Sequence, residues 1–133
     1  MLFREISWTP HDRAMDSFSP ILLQLPDRID TWTIHDVESS FQARDFEAGV
    51  SVIADMRNVS FVSSSGIRFL LVASDRLRKN GGGDLLLAEL QGNVSEVLAI
   101  CGLVKRFQMF DTVEQAIGHL SRGAHEAQDK NAG

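Results

Sequence analysis

The sequence predicts one α/β domain. Three observations carry that reading. Short apolar runs at Ile21–Leu25, Ser51–Met56 and Asp84–Leu90 alternate with stretches whose apolar residues recur at helical spacing. The helix after Gly66 is the clearest, with Ile67, Leu70, Leu71, Ser74 and Leu77 on one stripe and Ser74 its only polar member. A chain of 133 residues, 44% of them hydrophobic, has the usual size for one domain with a substantial core. Strands alternating with helices imply a largely parallel or mixed sheet covered by helices.

The elements follow in order. Leu2–Trp8 alternates weakly and suits an edge strand. Residues 9–20 are polar, hold two prolines and read as a loop. Ile21–Leu25 is a strand stopped by Pro26. Thr33 is placed to cap a helix with Ile34, Val37 and Phe41 on one face, ending near Gly49. Ser51–Met56 reads as a buried strand. In the helix after Gly66, Arg76, Arg78 and Lys79 suit the last turn, and Asn80-Gly81 supplies the stop. Asp84–Leu90 is the next strand. Asn93 with Glu96 resembles a capping box opening Val94–Cys101. Lys105–Phe110 is a short strand, and Thr112 with Gln115 opens a last helix reaching about His119. The domain is expected to span residues 1–120. Residues 121–133 lack any large apolar side chain and are expected to form a disordered tail. No internal repeat is visible.

Charge and composition narrow the function. A net charge of −5 argues against a nucleic-acid binder built on phosphate contacts and against a polybasic membrane-surface protein. No apolar run approaches the roughly 20 residues of a membrane span, and MLFREISWTP has no long apolar core of a signal peptide. A single cysteine, Cys101, allows no intrachain disulfide and fits a reducing compartment. Together these features lead to the expectation of a soluble cytoplasmic protein.

Enzyme motifs are weak, and the chain is expected to be no enzyme. Residues 62–66 read Val-Ser-Ser-Ser-Gly and lack the leading glycine of a nucleophile elbow. Gly81-Gly82-Gly83 is followed by Asp84, which repels phosphate. His11, His35, His119 and His125 share no metal-ligand spacing and read as surface histidines, so no metal or cofactor is expected. Cys101 reads as a core thiol at a helix end. Trp8 and Trp32 read as partly buried rather than as partner anchors.

The most distinctive stretch is Ser63-Ser64-Ser65-Gly66 between a buried strand and a helix. The first turn of a helix leaves about four backbone N–H groups without partners. One serine, Ser63 or Ser64, is enough to cap it. A phosphate on a serine here is tolerated, because the helix dipole places partial positive charge at this end. The surplus hydroxyls therefore admit two readings, a cap among small corner residues or a chemical switch.

The run Asp55-Met56-Arg57-Asn58-Val59-Ser60-Phe61-Val62-Ser63-Ser64-Ser65-Gly66-Ile67 resembles the signature of STAS domains of the anti-sigma factor antagonist type. The likeness extends through Leu25-Pro26-Asp27-Arg28-Ile29-Asp30, Asn80-Gly81-Gly82-Gly83, Gln91–Leu103 and Val104–Ala116. It implies a small mixed sheet with helices mainly on one side. It implies phosphorylation at Ser64, two before the motif glycine, with Ser63 a competing site because Ser63 stands where many relatives have Asp. The implied partners are an anti-sigma factor or related serine kinase and a serine phosphatase. Asp30 matches the acidic residue near which partners dock. Strand ends and helix starts converge at one edge of an α/β sheet, so Asp30, Ser63, Ser65, Gly66, Ile67 and Arg68 are expected to form the partner-binding patch. The resemblance also admits a scaffold or adaptor subunit of a signalling assembly or membrane transport system. Whether the chain forms a homodimer stays open.

Overall fold

The computed structural model describes residues 21–121 and, for backbone only, Leu2–Glu5. The expected loop at 9–20 and tail at 121–133 lie outside the described residues, apart from Ser121, which is helical.

The main sheet contains β1 (Leu2–Glu5), β2 (Ile21–Gln24), β4 (Val52–Asp55), β6 (Leu85–Ala88) and β7 (Gln108–Phe110), side by side in that order. β1 runs antiparallel at the edge, and the other pairings are parallel, with Leu23 opposite Ala54 and Ala54 opposite Leu87. β4 and β6 are buried at every position, which explains why they are apolar but for the ion-paired Asp55 that ends β4. A separate pair, β3 (Arg28–Ile29) and β5 (Phe61–Val62), is also parallel, with Ile29 opposite Val62.

Helices α1 (Ile34–Ala43), α2 (Ser64–Lys79) and α3 (Gly92–Ile100) cover one face of the main sheet. That core holds Leu23, Val52, Ala54, Leu85 and Leu87 from the strands, packed against Val37, Phe41, Phe69, Leu70, Leu77 and Leu98. The opposite strand faces carry Leu22, Ile53, Leu86 and Ala88, which meet Val113, Ala116 and Ile117 of α4 (residues 113–121). The mixed sheet with helices mainly on one side is thus present, with α4 the one described helix on the other face.

Long-range hydrogen bonds explain where local reading and structure part. α1 stops at Ala43, not near Gly49, because Arg44 is extended and the Arg76 guanidinium takes the Phe41 and Arg44 carbonyls at 2.6 and 3.0 Å. Thr33 stands at the N-cap position of α1, but its side chain accepts no cap hydrogen bond. Its hydroxyl donates instead to the Arg28 carbonyl at 2.7 Å. α3 begins at Gly92 after Gln91, so the Asn93–Glu96 box is absent; the Asn93 amide donates to the Ser60 carbonyl at 2.7 Å. Thr112 does cap α4, accepting from the Gln115 N–H at 3.1 Å, while the Gln115 side chain accepts from Asp111.

The α2 stripe is wider than the spacing suggests: Phe69 and Ala73 are buried with Leu70, Ser74 and Leu77, while Ile67 and Leu71 are half-buried. Ser74 is tolerated there because its hydroxyl donates to Asp84 at 2.8 Å and accepts from Arg106 at 3.1 Å. Gly83 leaves no room for a side chain, since a Cβ would lie 1.8 Å from the Val50 carbonyl oxygen. Cys101 is exposed rather than a core thiol: α3 ends just before it, Gly102 turns the chain at φ 74°, and Leu103 joins the core.

Candidate phosphorylation and docking site

The site is built where β3 and β5 end side by side. The Ser63 N–H donates to the Ile29 carbonyl at 2.9 Å, which continues the parallel register and sets Asp30 beside Ser63. Ser63 is the N-cap of α2: its backbone is extended and its hydroxyl accepts the Gly66 N–H at 3.3 Å. Ser64 is then the first helical residue. It is exposed, and among the described residues its hydroxyl makes no hydrogen bond. The cap and the exposed hydroxyl therefore belong to different serines.

Ser65 and Ile67 are half-buried, and Arg68 is exposed one turn beyond Ser64. Gly66 belongs to the group by position, not by exposure. It is buried, and a Cβ there would lie 2.8 Å from the Ile29 carbonyl oxygen, Ile29 Cγ2 and Val62 Cγ1. Glycine at this point lets the first turn of α2 rest directly on β3 and β5.

Asp30 organises the turn into α1. Its carboxylate accepts from the Trp32 N–H at 3.0 Å, the Thr33 N–H at 3.2 Å and Arg28 Nε at 3.2 Å. Partial burial pushes its pKa up, but Arg28, the two backbone donors and the Thr33 hydroxyl outweigh that and hold it below the ordinary 3.8. Asp30 is therefore anionic near neutral pH and structurally engaged.

The same turn projects Trp32 into solvent, 89% exposed rather than partly buried. Phe61 is exposed nearby on β5, and the Arg28 guanidinium lies over its ring at 4.4 Å. Phe61 and Arg28 are not among the residues the sequence singles out, and Trp32 reads there as partly buried rather than as an anchor. The available signal was Asp30-Thr31-Trp32-Thr33, since an Asp that accepts from the backbone two residues on makes a tight turn. Trp8, His11 and His125 lie outside the described residues; His35 is exposed and His119 packs its ring against Phe110 at 5.2 Å.

A second charged cluster closes the C-terminal ends of β4 and β6. Buried Asp55 pairs with Arg57 at 3.0 Å, Arg57 reaches Glu89 at 3.4 Å, and Glu89 accepts the Val113 N–H at 2.9 Å. Asp55, by hydrogen bond and charge, raises the Arg57 pKa further. This cluster ties α4 to the sheet. Among the described residues, no group of three His, Cys, Asp or Glu side chains is placed to hold a metal ion, and no helix is long and apolar enough to cross a membrane.

Comparison with known proteins decides the family. The STAS domain model matches residues 13–116. The chain belongs to the STAS domain family. This STAS domain is 27% identical over 104 residues to BtrV of Bordetella bronchiseptica, provisionally named an anti-sigma factor antagonist; the match covers 77% of this chain and 89% of BtrV. Its fold is similar to that of the anti-sigma factor antagonist SpoIIAA in unphosphorylated form, with TM-score 0.66, 22% identity, and 92% and 97% of the two chains covered. SpoIIAA from Bacillus in phosphorylated form gives TM-score 0.60 at 20% identity, covering 90% and 99%. A sulfate transporter family protein from Wolinella succinogenes shares the fold at TM-score 0.63 and 17% identity, covering 79% and 86%. Relatives at such identities establish the fold alone.

Proposed function

We propose that this STAS domain is a non-catalytic phospho-switch, an anti-sigma factor antagonist that binds an anti-sigma factor or related serine kinase in the bacterial cytoplasm. The observation that carries the reading is the division of labour at the start of α2, where Ser63 caps the helix and Ser64 presents an exposed hydroxyl that bonds to none of the described residues. The kinship with BtrV supports the partner class. Ser64 is the phosphoacceptor. Its oxygen takes the γ-phosphoryl group of ATP as the bond to ADP breaks, and the hydroxyl proton passes to the kinase. A serine phosphatase returns the hydroxyl by hydrolysis.

The docking surface comprises Asp30, Ser63, Ser65, Ile67 and Arg68 around Ser64, extended by the exposed ring of Trp32. A new anion on Ser64 lies inside that surface. Burying it unpaired in an interface costs several kcal/mol, on the order found for unmatched interfacial charges.

The test is mass spectrometry of the protein isolated from its own cells, paired with phosphate incorporation by the kinase that modifies it. Phosphate on Ser64, lost in Ser64→Ala and kept in Ser63→Ala, is the expected result. Phosphate confined to Ser63 moves the switch by one residue. Absence of phosphate, together with stable association with transport proteins, replaces the switch by the adaptor role that the shared fold with a sulfate transporter family protein supports.

A further inference from the structure

We propose that a phosphate on Ser64 is gripped by Arg68 of the same helix, so that phosphorylation withdraws a cation from the docking surface while it adds an anion. The proposal rests on the reading of Ser64 as the phosphoacceptor and names how its phosphate acts.

Arg68 is exposed, and it forms no ion pair or hydrogen bond with any described residue. It stands four residues after Ser64, one helical turn away and about 6 Å along the axis. Helical side chains lean toward the N-terminus, so Arg68 covers the turn that carries Ser64. An anion placed N-terminal to a cation at this spacing is the favourable order. The same helix already contains that arrangement: Asp75 pairs with Lys79, four residues on, at 3.0 Å. A phosphate on Ser64 would complete the same geometry about three turns earlier on the same helix, with a guanidinium whose planar donors match two phosphate oxygens.

The other charges at the site are accounted for. Asp30, beside Ser63, is an anion, and its partner is Arg28 at 3.2 Å. Arg28 is further engaged by the Phe61 ring at 4.4 Å. Among the described residues, Arg68 is thus a cation at this corner without an anion of its own. Unphosphorylated, it is available to an acidic group of a partner. Phosphorylated, it is turned back onto its own helix, and the surface loses an attraction as well as gaining a charge.

The test uses the full chain with phosphoserine encoded at position 64, so that no kinase is needed, compared with the same chain carrying R68Q or R68K. Phosphorus NMR follows the second ionisation of the phosphate, which lies near pH 6 in free phosphoserine. The expected result is a phosphate of lower proton affinity with Arg68 than with R68Q, by about twofold for an exposed pair at this spacing, with R68K between them. The difference should shrink in molar salt. Circular dichroism verifies that R68Q keeps its fold, as an exposed position allows. Identical titrations for Arg68 and R68Q overturn the grip. Because the phosphate is built in, that result leaves the phosphoacceptor reading standing. Absence of phosphate on Ser64 in cells would instead remove the reading while the titration still reports the pairing.

Discussion

The Ser63 hydroxyl accepts the Gly66 N–H at 3.3 Å, and among the described residues the neighbouring Ser64 hydroxyl is left without a hydrogen bond. Stability and modification should therefore separate between adjacent serines. Ser63→Ala is expected to cost about 1 kcal/mol, as for other lost caps. Ser64→Ala should change the urea midpoint by a few tenths of that while abolishing phosphate incorporation. Equal destabilisation by both variants would show that the cap is shared.

The division between the two serines was not legible in the sequence, because either side chain suits an N-cap. What was legible is what depends on near neighbours. The apolar runs of β4 and β6 and the stripe of α2 declare themselves by period alone. The misread points are those settled from afar. The end of α1 is set by Arg76 from α2, and Asn93 is drawn to Ser60 rather than to its own helix. Thr33 turns toward the Arg28 carbonyl, while the Asp27 and Ile29 carbonyls on either side accept from the Ser60 and Ser63 N–H groups. Trp32 is exposed because Asp30 fixes the turn around it, a consequence of three hydrogen bonds that hydrophobicity scales do not see.

Asp30 should be a poor site for charge reversal. A partner-patch residue with no structural role could become Lys at no cost to folding, but Asp30 accepts from Arg28, Trp32 and Thr33. Asp30→Lys is expected to lower the urea midpoint as well as partner affinity. Arg68→Glu should lower affinity alone, since Arg68 makes no bond to any described residue. If Asp30→Lys unfolds like wild type, the turn does not depend on its carboxylate.

The depressed pKa of Asp30 fixes the sign of a pH effect. Because the folded value lies below 3.8, the group contributes stability above the unfolded pKa, and that contribution is lost as pH falls through the folded value. Asp30→Asn keeps an oxygen to accept the Trp32 and Thr33 N–H groups but removes the charge facing Arg28. The stability gap between wild type and Asp30→Asn should therefore be present at pH 7 and close under acid. Parallel urea midpoints for the two proteins across that range would rule out a contribution from the ion pair.

Gly66→Ala tests how tightly α2 rests on the β3–β5 pair. The added methyl would lie 2.8 Å from Ile29 and Val62 atoms, one of them a backbone oxygen that cannot rotate away. Overpacking of this kind costs about 1–3 kcal/mol. A wild-type urea midpoint in Gly66→Ala would mean that the helix start shifts freely.

Trp32→Ala separates docking from folding most cleanly. At 89% exposure the ring has almost no packing to lose, so thermal unfolding should stay within about 0.5 kcal/mol of wild type. Its backbone is held by Asp30, so the turn is fixed in advance and binding has only the side chain to order. Rigid, exposed tryptophans are the residues that most often dominate an interface, and truncating one typically costs about 2 kcal/mol or more of binding. Calorimetric titration against the kinase that modifies Ser64 should show affinity reduced by about thirtyfold or more, the equivalent of that energy. Trp32→Phe should recover part of it, because the contact is apolar. A second copy of the chain is the competing occupant, and sedimentation of the unliganded protein decides between them. If wild type is monomeric and Trp32→Ala binds the kinase as tightly as wild type, the aromatic turn lies outside the interface and docking is confined to the start of α2.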